Sequence, residues 1–439
     1  MEQALKVAKF GGSSLRDADR IQQVAAIITQ DPSIKFVVVS APEGMTDQLI
    51  EIGKGPKGGS FGVLVGDVSR RFTNISKDLS DNDYNAELQL NFDLQKLHES
   101  GLACDEPTTV SRGEYICAKL VAAHLGFEFL DAARFMYFNA DGEFDFEATK
   151  YAWGALKLEL GKRYVIPGFY GAMPDGAIKL FSRNASDYSA AVVAACAKAT
   201  LLEKWTNESG IRRADPRIVP DAEYIDELTF REIRELTSRG TKILHPEVIV
   251  PLREAMIPIE IKNVDRPHER GTRIVPNEMA APKPPGTVVG ISSAKGYAVF
   301  GIEKMPMRMG FAAKLLGVFA ELKVDIAHIV DGVDEMGIVV DEKEIAGEKC
   351  GELYARIKAV CKPDMLNVDH AMTIIGVVGH WMDNAPGTLA KIVGAVADIG
   401  VSIEIADQSK NQTNIVLGVA DRDCDATVRA VYDRMIRNK

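Results

Sequence analysis

The stretch LKVAKFGGSS, residues 5–14, joins a short apolar run to a pair of glycines and two serines. A segment with helical periodicity follows at residues 18–29, and a second Val-rich run follows at residues 36–40. Strand, helix and strand in this order predict a βαβ unit in a parallel sheet. The glycines let backbone N–H groups approach a phosphate, and Lys9 adds a positive charge. The stretch therefore predicts an α/β fold whose first strand ends at an anion site, although a flexible glycine turn without a ligand would also fit the pattern.

The last third of the chain repeats itself after a proline-rich segment at residues 276–285, which we interpret as a linker. Matching residues recur at a spacing of 77 (387 − 310 = 77) over a helix-then-strand pattern. This register predicts two small α+β modules between residues 296 and 439. The matched residues of the first copy are Gly310, Ala313, Lys314, Gly317, Ala320, Val324 and Ile326.

Composition limits the class of protein. The net charge of −10 argues against a nucleic-acid partner, which would need a basic face. The six cysteines are scattered without metal spacing, which is typical of free thiols in a reducing compartment. The chain opens on a strand pattern without a signal peptide, and its apolar stretches are too short to cross a bilayer. We therefore expect a cytoplasmic protein with no membrane partner.

Three polar clusters follow predicted strands or begin predicted helices, at residues 40–46, 111–114 and 182–187. A single polar residue there would be read as a helix N-cap. The clusters instead combine arginine and hydroxyl groups, which suit a carboxylate, with acidic groups, which suit an ammonium ion. Together they predict recognition of an amino acid.

Taken together, these motifs resemble the aspartate kinase family of the amino-acid-kinase superfamily. Six motifs match in order: residues 9–14, 40–46, 111–114, 183–191, 205–219 and 240–246. The resemblance implies an α/β amino-acid-kinase fold, a three-layer α/β/α sandwich around a mainly parallel sheet. Two α+β, ferredoxin-like ACT modules would follow it. The implied domains are 1–275 (catalytic), 276–295 (linker), 296–368 (first ACT) and 369–439 (second ACT).

The resemblance also implies a role for individual residues. Lys9 and Asp187 would be catalytic, with Lys9 reaching the transferring phosphoryl group. The aspartate-binding residues would be Ser40, Thr46, Glu114, Arg183 and Ser186. The nucleotide-binding residues would be Gly11, Gly12, Ser13, Thr206, Asn207, Arg217 and Lys242.

The implied reaction is ATP-dependent phosphorylation of the β-carboxylate of L-aspartate, which gives 4-phospho-L-aspartate. That carboxylate is already ionised at pH 7, so the reaction needs no general base. Mg²⁺ would arrive with ATP, and no protein side chain is assigned as a metal ligand. The reaction would open the pathway to lysine, threonine and methionine.

Two departures from the family pattern bear on activity, and two alternative functions stay open. Asn184 and Ala185 replace paired glycines, which would be unfavourable if the backbone there needs a positive φ. Asn207 replaces an acidic residue near the nucleotide. The first alternative is a kinase-like sensor without useful turnover, and the second is a sister kinase acting on glutamate or a similar substrate.

The ACT modules imply feedback control by an amino acid such as lysine or threonine, and self-association as at least a dimer. Gly310 would open a helix whose N–H groups meet the effector carboxylate. Ala327 stands where related chains carry an acidic residue, so Asp325 or Asp331 would have to meet the effector ammonium group. We therefore expect weak inhibition by lysine.

Overall fold

The computed structural model describes residues 4–54, 60–79, 106–159, 161–181, 185–237, 244, 246–382, 385–411 and 413–437. The chain forms two compact units. Unit 1 comprises residues 1–211, 226–230 and 243–280, and unit 2 comprises residues 212–225, 231–242 and 281–439. Among the described residues, every helix is too short or too polar to span a bilayer.

Unit 1 contains a sheet of eight strands. They are β1 (Lys6–Phe10), β2 (Ile34–Val39), β3 (Glu128–Phe129), β6 (Tyr164–Pro167), β9 (Leu201–Thr206), β10 (Glu227–Thr229), β11 (Ile259–Asn263) and β12 (Thr272–Val275). Their order is β10-β12-β11-β9-β1-β2-β6-β3, and every neighbouring pair is parallel except β11 with β12. A smaller sheet in the order β5-β4-β7-β8 contains β4 (Tyr137–Phe138), β5 (Phe144–Asp145), β7 (Tyr170–Ala172) and β8 (Ile178–Leu180). The predicted mainly parallel sheet is confirmed.

Helices cover both faces of the large sheet. They are α1 (Ala18–Gln30), α2 (Met45–Gly53), α3 (Ser60–Asp78), α4 (Glu106–Leu125), α5 (Phe146–Ala155), α6 (Ser186–Cys196) and α8 (Ile249–Glu254). Ala8 and Phe10 of β1 belong to the hydrophobic core that includes residues of α1 and α4. Val7 is also fully buried although it points to the opposite face, where α6 packs on β1. The strand therefore alternates between two buried faces, and Lys9 points to the same face as Val7.

Unit 2 contains one antiparallel sheet that the two modules share, in the order β14-β15-β13-β16-β18-β17. Its strands are β13 (Gly290–Glu303), β14 (His328–Asp331), β15 (Glu335–Asp341), β16 (Met365–Val378), β17 (Ile405–Gln408) and β18 (Asn414–Ala420). Its helices are α9 (Phe311–Glu321), α10 (Lys349–Cys361), α11 (Thr388–Ala397) and α12 (Cys424–Tyr432). Each module has its own core cluster, because the helices of each cover their own part of the sheet.

The internal repeat is visible in the backbone. Helices α9 and α11 both begin after a left-handed glycine, Gly310 with φ 82° and Gly387 with φ 86°. A Cβ at either glycine would have no atom of the described residues within 4 Å, so the conformation and not crowding favours glycine there. The repeat predicted from the sequence is therefore also a repeat of local structure.

The predicted domain bounds stay a prediction, and the units divide the chain differently at two places. Residues 212–225 and 231–242 lie before the predicted linker, yet they belong to unit 2. Helix α7 (Phe230–Thr237) begins at the last residue of a unit 1 segment and continues in unit 2. Strand β13 begins at Gly290, inside the predicted linker. The sequence did not predict a strand there because the first residues of β13 are mostly small and carry no alternating pattern.

Candidate active site

The first two strands end side by side and hold a glycine loop between them. β1 pairs in parallel with β2, and the Ser40 N–H donates to the carbonyl of Phe10 at 3.2 Å. The Glu43 N–H donates to the carbonyl of Gly12 at 3.1 Å, which ties the two loops together. A Cβ at position 12 would lie only 2.6 Å from the carbonyl oxygen of Ala41. Glycine is therefore required at position 12 by the close approach of the two backbones.

Glu114 reaches the same place from helix α4. A Cβ at Gly113 would lie 2.8 Å from the Cβ of Ala41, so the glycine lets α4 approach this loop. The helix begins at Glu106, so the expectation that residues 111–114 open it is wrong. Pro107, near the start of α4, is tolerated because N–H groups of the first turn have no intrahelical partner.

The carboxyl group of Glu114 is buried. Burial raises its pKa to about 8, although a hydrogen bond to the Ala41 backbone and the charge of Lys9 act in the opposite direction. Its Oε2 atom has no hydrogen-bond partner among the described residues. A buried acceptor of this kind is ready to pair with a cationic group of a ligand.

A cavity of about 410 Å³ opens in front of these groups. Its volume suits a small polar ligand together with water. Six of the residues predicted to bind substrate or nucleotide line it, namely Gly12, Ser13, Ser40, Thr46, Glu114 and Ser186. Six of the positions that the resemblance implied are thus brought together by the fold.

Asp187 lies in the first turn of α6 between two lysines. Its Oδ1 is 2.6 Å from Nζ of Lys9, and its Oδ2 is 2.5 Å from Nζ of Lys204. Burial alone would raise the pKa of Asp187, but the charges of Lys204 and Lys9 lower it to about 2. The carboxylate therefore stays ionised throughout the physiological range of pH.

Ser186 precedes Asp187 and contacts the second strand. Its hydroxyl group lies 2.8 Å from the hydroxyl group of Ser40, so the ends of β2 and α6 meet at the cavity. The cap position of α6 is Ala185, and neither Ser186 nor Asp187 serves as the N-cap. The alternative that these polar residues are only helix caps is therefore wrong.

Ala185 does not adopt the positive φ that would favour glycine. Its φ is −80° and its ψ is 3°, so alanine carries no left-handed penalty there. The condition for the expected penalty is therefore not met at this position. Arg183 and Asn184 lie outside the described residues, as does Lys242.

The predicted nucleotide-binding residues are divided between the two units. Thr206 ends β9, and its hydroxyl group contacts Oδ1 of Asn207 at 3.2 Å. The backbone carbonyl of Asn207 accepts a hydrogen bond from Asn263 at 3.2 Å, which connects the ends of β9 and β11. Arg217 belongs to unit 2, where it is 87% exposed and pairs with Asp215 at 2.6 Å. Gly11 precedes the 3₁₀ turn of residues 12–15, and its carbonyl accepts from the Ser14 N–H at 3.0 Å.

The predicted effector residues lie in the first module of unit 2. Gly310 is the left-handed cap of α9, while Asp325 and Asp331 are exposed. The Ala327 N–H donates to the carbonyl of Val339 at 2.8 Å beside strand β14. Their role stays a prediction.

Sequence reasoning missed four residues that line the cavity or contact Asp187, namely Asp47, Ile50, Phe169 and Lys204. Lys204 is a charged residue in an otherwise ordinary strand pattern, and the pairing of β9 with β1 sets it beside Lys9, where both contact Asp187. Phe169 lines the cavity with φ 77°, a conformation that costs a bulky residue about 1–2 kcal/mol. A positive φ would be expected at the preceding Gly168 instead. Glycine at position 168 serves a different purpose, because it lets Ser186 approach the backbone: a Cβ there would lie 2.7 Å from the Cβ of Ser186.

Comparison with known proteins assigns the two parts of the chain. Residues 4–263 match the model of the amino acid kinase family, and residues 375–435 match the model of an ACT domain. The chain is 30% identical to aspartokinase 3 of Bacillus subtilis, over 98% of this chain and 98% of that protein.

Solved structures match over the full length as well. The crystal structure of aspartate kinase from Clostridium acetobutylicum has 32% identity and a TM-score of 0.88, covering 99% of this chain and 100% of that one. Aspartokinase III of E. coli, solved with aspartate and ADP, has 22% identity and a TM-score of 0.79, covering 98% and 99% of the two chains. The second likeness supports the fold alone.

Proposed function

We propose, on the premise that this chain belongs to the amino acid kinase family and within it to the aspartokinases, that it phosphorylates L-aspartate. The β-carboxylate of aspartate would accept the γ-phosphoryl group of ATP, giving 4-phospho-L-aspartate and ADP. The pathway to lysine, threonine and methionine begins with this reaction, and we propose that the enzyme works in the cytoplasm.

The observation that carries the proposal is the arrangement of charges around the cavity. Glu114 offers a buried carboxyl group with an oxygen that has no partner among the described residues, which suits the ammonium group of an amino acid. Ser40 and Ser186 add hydroxyl groups at the same cavity. Lys9 adds a buried ammonium group whose charge acts on Glu114. Hydrogen-bond donors, one buried acid and one buried cation together suit a small zwitterion with an extra carboxylate.

The chemistry needs positioning more than proton transfer. An oxygen of the β-carboxylate forms a bond to the γ-phosphorus, and the bond from that phosphorus to the bridging oxygen breaks as ADP leaves with the electron pair. The main barrier is the approach of two anions, so the positive charge of Lys9 lowers it. Mg²⁺ carried by ATP would neutralise phosphate oxygens. The acceptor carboxylate is already ionised, so the residues of the site move no proton at this step.

A coupled assay of ADP release tests the proposal. We expect ADP release with aspartate and only background with glutamate or without an amino acid, and hydroxylamine should trap the acyl phosphate as a hydroxamate. Faster turnover with glutamate would favour the sister-kinase alternative. ADP release that is absent with every amino acid would favour the sensor alternative, which Ala185 no longer supports.

We further propose that the ACT modules bind a regulatory amino acid, lysine or threonine, and that the protein self-associates at least as a dimer. An effector that shifts the enzyme from mostly active to mostly inactive must bind the inactive state about 10⁴-fold more tightly. The exposed positions of Asp325 and Asp331 leave both carboxylates accessible to an ammonium group. Titration of full-length enzyme with lysine and threonine, combined with sedimentation velocity, tests both parts.

A further inference from the structure

Lys204 supplies a second ammonium group to the site, and no motif of the sequence pointed to it. Strands β1 and β9 are parallel, and their register sets Lys204 directly beside Lys9. Both side chains point to the face of the sheet that α6 covers, where Asp187 lies in the first helical turn. The two lysines therefore share one carboxylate, each through a different oxygen.

Two ammonium groups and one carboxylate meet in a buried place. The side chains of Lys9 and Asp187 are each 9% exposed and that of Lys204 is 14% exposed. Burial lowers the pKa of Lys204, and the charge of Lys9 lowers it further, while Asp187 acts in the opposite direction. One lysine would be enough to pair Asp187, because a buried charge needs a partner of opposite sign. The second contact means that Asp187 keeps a charged partner if one of the two lysines moves away.

The two lysines of this cluster differ in what surrounds them. The Nζ of Lys9 would lie 3.8 Å from a Cβ at Gly11, so Lys9 is next to the glycine loop that borders the cavity. Lys204 is one residue before Trp205, whose ring stacks on Phe10 with centroids 5.9 Å apart. The strand that carries Lys204 is thus held by packing within the sheet.

We propose that Lys204 is a positioning residue, which holds Asp187 when Lys9 turns from that carboxylate to the transferring phosphoryl group. The proposal rests on the proposed function. As the aspartate oxygen bonds to the γ-phosphorus and the bond to ADP breaks, the Lys9 ammonium group follows the charge on the phosphoryl oxygens. Asp187 would then be left as a buried, unpaired carboxylate if Lys204 were absent, which is strongly unfavourable. Lys204 keeps the carboxylate paired and so makes Lys9 available.

The test uses full-length protein with Lys204→Met, which removes the charge but keeps the length, and Lys204→Arg, which keeps the charge. In Lys204→Met, Lys9 stays bound to Asp187, so we expect kcat to fall about 100-fold while both KM values change less than about threefold. Lys204→Arg should recover at least a tenth of the wild-type kcat. Single-turnover rapid quench should show the same loss in the phosphoryl-transfer step itself.

Lys262→Met is the matched control. Lys262 lies on β11, next to β9, but its ammonium group has different partners. Its Nζ lies 4.6 Å from the centroid of the Trp205 ring and 3.9 Å from Oε1 of Glu203. The same substitution there should leave kcat within about twofold of wild type. In a double-mutant cycle, Lys204→Met should add little to the loss caused by Asp187→Asn, because both changes act on the same carboxylate.

Three outcomes would overturn the proposal. A folded Lys204→Met enzyme with wild-type kcat would limit Lys204 to a structural role. A raised KM for ATP at unchanged kcat would make it a ground-state nucleotide ligand instead. If the wild-type enzyme forms no acyl phosphate, the proposed function and this inference are both refuted. If the wild type is active and the Lys204→Met variant is unaffected, this inference alone is refuted.

Discussion

Raising the pH from 6 to 8 should strengthen aspartate binding, because Glu114 must lose its proton to pair with the substrate ammonium group. In the free protein burial raises the pKa of Glu114 to about 8, so at neutral pH the carboxyl group is mostly protonated. A bound ammonium group favours the charged form and lowers that pKa. Protonation therefore competes with aspartate below pH 8, and the competition ends above it.

The size of the effect follows from the same pKa. With a free-state pKa of about 8 and a bound-state pKa well below 6, the apparent affinity should rise about 50-fold between pH 6 and pH 8 and then level off. At pH 7 the cost of removing the proton is about 1.4 kcal/mol. Binding at pH 7 should release about 0.9 proton per aspartate.

Isothermal titration calorimetry in two buffers of different ionisation enthalpy measures both the affinity and the released proton. The matched control is Glu114→Gln, which cannot titrate: its aspartate affinity should be independent of pH and, at pH 8, weaker by about 2–5 kcal/mol. ATP binding should change less in this variant, because the carboxyl group is assigned to the amino acid. A flat affinity between pH 6 and pH 8 in wild type, with no proton released, would refute the pairing of Glu114 with the ammonium group.

Three further predictions concern Lys9, the glycine loop after β1 and inhibition by free lysine. Lys9→Ala should reduce kcat by at least about 10³-fold. The melting temperature should stay near that of wild type, because Lys204 still pairs with Asp187. A well-folded variant that keeps most of its activity would exclude Lys9 from the mechanism. Gly12→Ala should lower the free energy of unfolding by about 1–3 kcal/mol, because its Cβ would meet a backbone oxygen at 2.6 Å. The matched Gly11→Ala change should cost less, since the nearest atom of the described residues to its Cβ would be Nζ of Lys9 at 3.8 Å. Equal losses in thermal denaturation would contradict this reasoning. Lysine should inhibit full-length enzyme weakly, because Ala327 offers no charge to an ammonium group, and strong inhibition by lysine alone would show the argument from that position to be wrong.

The sequence predicted the fold and the two loops that follow β1 and β2, because those features are local. The glycine loop after β1 and the cluster that begins at Ser40 follow their strands directly. The carboxyl ends of neighbouring parallel strands lie on the same edge of a sheet, so these loops had to meet. Phe169 could not be foreseen, because a positive φ at a phenylalanine depends on the packing around it.

Lys204 was missed for a different physical reason. Along β9 the side chains alternate, so Glu203 and Trp205 point to one face and Lys204 points to the other. A lysine in a strand is usually assigned to solvent. Its partner Asp187 lies 17 residues earlier on a helix, and only the packing of α6 against the sheet brings the two together. An ion pair between a strand residue and a residue in the first turn of a helix produces no periodic pattern in the sequence from which it could be predicted.

The extent of the regulatory part could not be predicted either, because unit 2 includes chain that the family match assigns to the kinase. Ile218 and Val219 lie within the matched residues 4–263, yet their side chains belong to the hydrophobic core formed with the second ACT module. The Ile218 carbonyl also accepts a hydrogen bond from Arg429 of α12 at 2.9 Å. A deletion of residues 286–439 would therefore expose apolar side chains of the remaining chain and would not leave an intact kinase domain. Arg217 precedes Ile218 in the same segment, so the last helix of the second module supports the backbone next to a residue predicted to bind nucleotide. Point substitutions in full-length protein, not truncations, are the experiments that can separate regulation from folding.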